Sequence, residues 1–471
     1  MPSNTIIHWF RRDLRLDDNT ALAAAARDAG RVVPVFVLDD HYGDDGGIGP
    51  ARFRFLRESL EELAAALAPA GGRLIVRRGP ASRALPELAA ETGAAAVYAN
   101  AEIGPYPEAR DSAASEALRE TGIELRLFAD ALLVEPDALL SGSGSPYVVY
   151  APFARRWHAA EKRPAVSAPG RLETPDLRSV PLARVRAWRD LTADPLSPRG
   201  GASEAGRLLA RFAGALTGYG IERNFPAREG TSRLSPHLHF GTISPRTVLA
   251  KITDSPDGAS PGATRFLGEL AWRDFYHHVL FHFPRVASES FRPELDALGW
   301  RSNPAGIAAW RAGETGYPLV DAAMRQLSTT HWMHNRARMV VASFLTKDLH
   351  VHWREGQAWF EHELADADLA SNNGGWQWAA GSGTDAAPYF RIFHPVLQSK
   401  KFDPDGGYIR RHVPALANVP AEKLHEPWTM TAQEQSASGC RIGRDYPAPI
   451  VDHAVERQEA LRMMKALSVK R

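Results

Sequence analysis

At 471 residues, with 56 Lys and Arg against 55 Asp and Glu and 44% hydrophobic residues, the chain has a soluble globular composition and room for two or three domains. No apolar run approaches the roughly eighteen residues of a membrane span, and the N-terminal T-I-I-H-W-F, with charges directly behind it, is neither a secretory signal nor a recognisable transit peptide. A lone cysteine, Cys440, excludes an internal disulfide and cysteine-based metal clusters, and it predicts a reducing cytoplasm.

Residues 1–134 alternate short β-branched runs with Ala- and Leu-rich amphipathic stretches. Strands are predicted at Ile6–Phe10, Val32–Leu38, Leu74–Arg77, Ala95–Ala99 and Leu125–Phe128, with helices between them, most clearly at Ala51–Leu67 and Ala109–Glu120. That alternation predicts a parallel, Rossmann-like sheet covered by helices on both faces. No G-x-G-x-x-G follows the first strand, so a flavin or other dinucleotide is expected elsewhere. From 135 to 201 the pattern breaks down. Ser-Gly-Ser-Gly-Ser at 141–145 and the prolines Pro164, Pro169, Pro175, Pro181, Pro195 and Pro198 predict a long, largely irregular connector between domains. From 202 to 471 strand signals vanish, and helical periodicity at 203–216, 262–282, 317–328, 332–347 and 355–363 predicts an all-helical domain.

Eight of the twelve tryptophans lie between Trp272 and Trp378. Core packing could use them, but it does not call for Asn335, Arg336, Arg338, Asp366, Asp368, Asn372 and Asn373 in the same region. Indoles interleaved with polar groups predict a pocket for a large aromatic and polar ligand. Asn335 and Met339 are four apart on a helix and share a face that Arg338 can also reach. The T-S-R-L-S stretch at 231–235 offers hydroxyls, a guanidinium and backbone N–H groups suited to a pyrophosphate, or simply a capped turn. Glu269, beside Leu270, Ala271 and Trp272, is predicted to sit in apolar surroundings that raise its pKa. The histidines are scattered. His237–His239 and His350–His352 could chelate by chance, but neither has a set of further ligands around it, so no metal site is expected. Net charge of +1 is unpromising for a DNA-binding protein. Local clusters at Lys400–Lys401, Arg410–Arg411, Arg336–Arg338 and Arg391 nevertheless offer basic surface.

Together the motifs resemble one family. H-W-F-R-R-D-L-R-L-D-D-N at 8–19, E-G-T-S-R-L-S-P at 229–236, E-L-A-W-R-D-F-Y at 269–276, T-G-Y-P-L-V-D-A-A-M-R-Q-L at 315–327 and the stretch from His331 to Trp378 are similar to the DNA photolyase and cryptochrome family, near its class I cyclobutane pyrimidine dimer enzymes. The resemblance implies an antenna-binding α/β domain, a helical FAD-binding domain and light-driven repair of pyrimidine dimers in double-stranded DNA by a monomer. In the family, repair needs fully reduced, anionic FAD as electron donor. By resemblance, Tyr219, Thr231, Ser232, Arg233, Leu234, Ser235, Arg273, Arg338, Asp366, Ala367, Asp368 and Asn372 hold the FAD, with the Asn372 amide near its N5 atom. Glu269, Asn335 and Met339 meet the dimer, Trp272 and Trp378 wedge it after it flips out of the duplex, and Arg223, Arg336, Lys400 and Lys401 meet the DNA. Trp376, Trp353 and Trp300 match an electron relay from flavin to surface. An antenna of deazaflavin type, favoured over folate, is expected near Arg52 and Glu102. The alternatives are a cryptochrome photoreceptor, whose plant-type members carry Asp at the Asn372 position, and a (6-4) photolyase, which places histidines where this chain has Trp332 and Met339.

Overall fold

The computed structural model describes residues 4–42, 47–184, 194–385 and 391–469. Five strands form where the β-branched runs predict them: β1 (Thr5–Phe10), β2 (Arg31–Leu38), β3 (Ile75–Arg78), β4 (Ala94–Asn100) and β5 (Glu124–Phe128). Helices α1 (Thr20–Asp28), α2 (Pro50–Leu67), α3 (Ala81–Thr92) and α4 (Pro105–Glu120) lie between them. All strand pairs are parallel, in the order β3-β2-β1-β4-β5. Side chains of β1 alternate between two cores. Ile6 and Phe10 pack with Leu22, Leu56 and Leu60 of α1 and α2, while Ile7 and Trp9 pack with Leu85, Leu88 and Leu118 of α3 and α4. With both faces covered, the strand is an unbroken buried run.

Strand order reverses at β1, since the chain builds β2 and β3 on one side and then crosses to β4 and β5. Ligands of open α/β sheets bind outside the carboxyl ends of the strands at such a switch point. Here Arg12 and Asp13, after β1, and Asn100, Ala101 and Glu102, at the end of β4, line a crevice in that place.

The segment expected to be an irregular connector is not wholly so. It contains helix α5 (Tyr150–Ala159), packed on the helical half, with Phe153 and Trp157 fully buried. These two aromatics are four residues apart and share one helical face, a pattern too short to stand out among the surrounding prolines. The part of the connector at 185–193 lies outside the described residues.

Beyond Gly201 come α6 (Ala202–Ala213), α7 (Tyr219–Glu222), α8 (Ser235–Phe240), α9 (Pro245–Thr253), α10 (Pro261–His282), α11 (Pro304–Ala312), α12 (Pro318–Thr330), α13 (Asn335–Lys347), α14 (Trp353–Glu363) and α15 (Leu369–Ala380), followed by shorter helices and a last one at His453–Val469. Among the described residues this half has no strand, only an isolated bridge between Ile442 and Tyr446. The helix starts are specified locally. Ser244, Ser260 and Asp368 cap α9, α10 and α15 by accepting from backbone N–H groups, and proline takes the first position of α9 and α10. The two halves meet closely at Gly241, whose φ is +64° and whose missing Cβ would lie 2.1 Å from the Arg12 carbonyl oxygen. Among the described residues no helix is long and apolar enough to cross a membrane.

Candidate functional site

Pieces of the helical half surround an open cavity of about 1110 Å3: α7, the loop 231–235, α8, α10, the start of α13 and the start of α15. From α10, Phe266, Glu269, Leu270 and Arg273 reach it, a set spaced for one helical face. Thr231, Ser232, Arg233, Leu234 and Ser235 form the opposite wall. Arg233 has φ +56°, unusual for a residue with a side chain, and its guanidinium lies 4.2 Å from the Trp332 ring centroid and 2.9 Å from Glu229.

Asp366 and Arg338 form the floor. Arg338 Nη2 donates to both Asp366 oxygens at 3.0 and 2.8 Å and Nε to the Met333 carbonyl at 2.9 Å, while Ser235 Oγ donates to Asp366 at 2.5 Å. Asp368 is a second hub. One of its oxygens caps α15 through the Ser371 N–H at 3.0 Å. The other faces His277 Nε2 at 3.4 Å, His239 Nδ1 at 3.8 Å and Arg12 Nη1, from the α/β half, at 3.8 Å. Burial disfavours the Asp368 charge, but the two histidines outweigh it and hold the carboxyl well below its usual range. Burial also pushes His239 down to about 4, leaving it neutral at pH 7. His239 and His277 are functional candidates that the sequence reading missed. The signal for His277 was available, because Glu269, Arg273 and His277 repeat every four residues along α10. His239 gave no such signal, since only the fold brings it to Asp368. Among the described residues, no group of three or more His, Cys, Asp or Glu is placed to hold a metal ion.

Most of the predicted FAD-binding residues therefore converge, with Tyr219 and Arg223 of α7 and Asn335 of α13 also lining the cavity. Four expectations change. Glu269 does not sit in apolar surroundings: Arg223 Nη1 donates to its carboxylate. Of its apolar sequence neighbours Leu270 shares the cavity wall with it, whereas Ala271 and Trp272, at about 100° per residue, point elsewhere on α10. Ala367 lines a neighbouring cavity rather than this one. Trp272 and Trp378 do not line the cavity; they pack against separate hydrophobic clusters, Trp272 stacked on Tyr150 of α5 at 3.6 Å and 7° and Trp378 6.5 Å from Phe393. Asn372 also stands outside the lining, with its amide donating to the Gln357 carbonyl at 3.1 Å.

Beside the cavity mouth, Arg336 donates to Asn224 at 2.7 Å and to Met339 Sδ at 3.7 Å, and it lies over Phe402, which Lys401 also approaches. Burial together with repulsion from Arg223 and Arg265 lowers the Arg336 pKa, so three guanidiniums crowd this rim. Lys400 is exposed and pairs with Glu426 at 2.5 Å. Deeper in, Trp376 is buried between Phe360 at 5.0 Å and Trp310 at 6.1 Å. Its ring lies against Gly356, where a Cβ would come within 2.0 Å of it. Trp353 is one turn before that glycine, and Trp300 follows through His352, whose ring is 5.4 Å from Trp353 and 5.1 Å from Trp300.

The neighbouring cavity, about 650 Å3, opens at the sheet's switch point and holds both Arg52 and Glu102. Arg52 donates to the Glu361 carbonyl at 2.7 Å. Burial disfavours ionisation of Glu102, yet Arg110, Arg12 and Arg11 at 3.2, 2.7 and 3.6 Å keep its pKa far below the usual range. His41 stacks on Tyr106 at 4.1 Å in the same wall.

Two family models match the chain: DNA photolyase over residues 6–170, and the FAD binding domain of DNA photolyase over residues 266–466. The chain is also 42% identical to a deoxyribodipyrimidine photo-lyase of Agrobacterium fabrum, with 98% of each chain covered. The chain belongs to the DNA photolyase family. A photo-lyase of Escherichia coli is 38% identical, again over 98% of each chain. Among solved structures, a bacterial class III photolyase from Agrobacterium tumefaciens superposes with TM-score 0.93 at 41% identity, covering 99% of this chain and 98% of that one. A cryptochrome of Synechocystis gives 0.90 at 30%, covering 98% and 99%. An archaeal photolyase from Sulfolobus tokodaii, described with two FAD molecules and a novel light-harvesting cofactor, gives 0.86 at 32%, covering 98% and 100%. Such likeness crosses subclasses and carries the family as a whole.

Proposed function

We propose that this photolyase is a light-driven carbon–carbon lyase that repairs cyclobutane pyrimidine dimers in double-stranded DNA with FAD as its cofactor. The observation that carries the reading is the cavity itself, which unites the loop 231–235, the Arg338–Asp366 floor and the Glu269–Asn335 mouth under a rim of arginines. Its donor set fits FAD: hydroxyls of Thr231 and Ser232 and guanidiniums of Arg233, Arg273 and Arg338 suit a diphosphate. When bound, FAD in its fully reduced anionic form supplies the photoexcited electron that splits the cyclobutane ring and is then returned. The protein binds, orients and excludes water. Asn372, next to the lining residue Ser371, would stand towards the flavin ring edge, where a neutral amide tolerates negative charge that a carboxylate would repel. Arg223, Arg336, Lys400 and Lys401 neutralise DNA phosphates. We read the protein as a monomer in which residues 1–134 act as the antenna-binding unit beside the catalytic unit at 202–471. An absorption spectrum of the purified protein, followed by a light-dependent repair assay, tests the reading. Flavin absorbance with repair of cyclobutane dimers supports it. Repair of (6-4) lesions alone, or of neither lesion, replaces it with one of the two alternatives.

Glu269 and Asn335 at the mouth would meet imide and carbonyl edges of the dimer, with Met339 packed on its apolar face. Charge develops on those carbonyls as the ring opens, and preorganised groups stabilise it. Glu269→Ala should lower repair per photon by about tenfold, the equivalent of roughly 1.4 kcal/mol of lost charge stabilisation. Flavin content should stay unchanged, because Glu269 pairs with Arg223 and not with the Asp366–Arg338 floor. Equal quantum yields in the two proteins would remove Glu269 from the catalytic set.

For the second cavity we propose a deazaflavin-type antenna held by Arg52 and Glu102. Its aromatic His41–Tyr106 wall and its place at the switch point support a planar chromophore. Reconstitution with a deazaflavin should give energy transfer to FAD, visible as quenched antenna fluorescence. Transfer only from a folate or a second flavin would reassign the cavity.

A further inference from the structure

Resting on the proposed relay Trp376–Trp353–Trp300, a hydrogen-bond chain around Trp353 has a role that packing does not require. Trp353 is fully buried, and its indole N–H donates to Ser290 Oγ at 3.0 Å. The Ser290 hydroxyl in turn donates to Asp296 Oδ1 at 2.6 Å, and the Ser290 backbone N–H donates to Asp296 Oδ2 at 3.2 Å. The Ser290 carbonyl is fixed from the other side by Arg285 at 2.9 Å. Asp296 also faces His352 Nε2 at 3.1 Å and Arg354 Nη2 at 3.5 Å. Because His352 Nδ1 accepts the Arg354 backbone N–H at 3.2 Å, the ring proton of the neutral histidine lies on Nε2, pointing at the carboxylate. His352 is the ring between Trp353 and Trp300. The carboxylate therefore touches the connection at two places.

The three indoles differ in what their N–H groups meet. Trp376 Nε1 is buried with no hydrogen-bond partner, Trp300 Nε1 donates to the Leu295 carbonyl at 3.0 Å, and Trp353 alone leads to a carboxylate. When Trp353 gives one electron to an oxidised Trp376, Trp376 returns to neutral and Trp353 becomes positive. The initial oxidant is the light-excited oxidised flavin, which takes its electron from Trp376. Positive charge on Trp353 strengthens its N–H as a donor, and a polarised chain running from the buried indole to a fixed, partly exposed negative charge stabilises it. We propose that Asp296, acting through the Ser290 hydroxyl, is a positioning residue that stabilises positive charge on Trp353 and draws the oxidising equivalent outward from Trp376. Burial works against ionisation of Asp296, but the Ser290 hydroxyl and N–H, His352 and Arg354 outweigh it and hold the carboxyl below its usual range, so it is charged at neutral pH. The Arg354 guanidinium lies 5.5 Å from the Trp353 ring, and Asp296 offsets its repulsion as well.

Flash photolysis of the FAD-loaded protein, oxidised before the flash, reads the yield and lifetime of the tryptophan radical. Asp296→Asn keeps an acceptor for Ser290 but removes the charge, and the radical yield should fall by roughly tenfold or more, as expected for a charge lost a few ångströms away at an effective dielectric constant near 20. Asp296→Glu should restore most of the yield, and Ser290→Ala should fall between the two. In a flavin-independent readout, the indole 15N–1H resonance of Trp353 should shift in Asp296→Asn and return towards its native position in Asp296→Glu. Unchanged radical yield in Asp296→Asn overturns the assignment. So does an equal loss in Asp296→Asn and Asp296→Glu with lowered melting temperatures, which would mark a purely structural role. Trp353→Phe separates the two levels: if it leaves photoreduction intact, the relay itself fails, whereas loss of photoreduction there with native yield in Asp296→Asn overturns only the role of Asp296.

Discussion

Trp353→Phe should reduce light-driven reduction of the oxidised flavin by about a hundredfold, the equivalent of roughly 2.7 kcal/mol of barrier, while repair by chemically reduced protein survives. Trp353 stands one turn along α14 from Gly356, against which the buried Trp376 ring lies, and leads across His352 to the partly exposed Trp300. Phenylalanine is much harder to oxidise than tryptophan, so one missing indole turns two short transfers into one long one. The fold should tolerate the change. The residue is fully buried and the smaller ring leaves space, at about 1–3 kcal/mol. The Ser290 hydroxyl that loses its indole donor still donates to Asp296, so no buried donor is orphaned. Absorbance of reduced flavin under continuous blue light reads the first effect, and a repair assay after dithionite treatment reads the second. Native photoreduction in this variant would sink the relay. Loss of repair from the reduced protein would show that Trp353 supports the dimer site instead.

Arg246→Met should destabilise the protein by about 3–5 kcal/mol, because it leaves buried carboxylates without their cation. Arg246, at the start of α9, joins the halves. Its Nε lies 3.0 and 3.1 Å from the Asp18 oxygens, its Nη2 2.7 Å from Asp130 Oδ1 and its Nη1 2.8 Å from the Asp130 carbonyl. Asp18 and Asp130 follow β1 and β5, and all three side chains are buried. Arg15 also pairs with Asp130 at 2.5 Å, so Asp18 loses most in the variant. The network also sets the acid limit. Burial opposes ionisation of Asp130, but Arg15 and Arg246 prevail and hold it down to about 2. A carboxyl with a depressed folded pKa contributes stability above its unfolded pKa, near 3.9, and loses it as pH falls towards the folded value. Arg246→Met should therefore move the acid-unfolding midpoint upward as well as lower the thermal midpoint. Adding Asp18→Asn should recover part of the loss, since the uncompensated charge is then gone. A thermal midpoint within a degree of the native one, together with an unmoved acid midpoint, would show that the interface relaxes around the missing cation.

The elements of this protein were legible in its sequence because their causes are local. β1 and β2 are continuous apolar runs that only a doubly covered sheet can bury. The Ser-Pro pairs at 244–245 and 260–261 start helices by capping and by a pre-set φ. The loop 231–235, Tyr219, Glu269, Asn335, Arg338, Asp366 and Asp368 were all legible as site residues through family motifs, and the fold gathers them around one cavity. What only the tertiary structure decided was who faces whom. Arg223 neutralises Glu269 across 46 positions, although the apolar neighbours in sequence suggested isolation. His239, His277 and Arg12 converge on Asp368 from three separate segments, one of them in the other half of the protein. Tyr150 and Trp157 belong to the helical half even though a proline-rich stretch surrounds them. Helix and strand patterns repeat over a few residues and are set by local sterics and burial. Pairings between charges depend on distances across packed elements, and no periodicity along the chain encodes them.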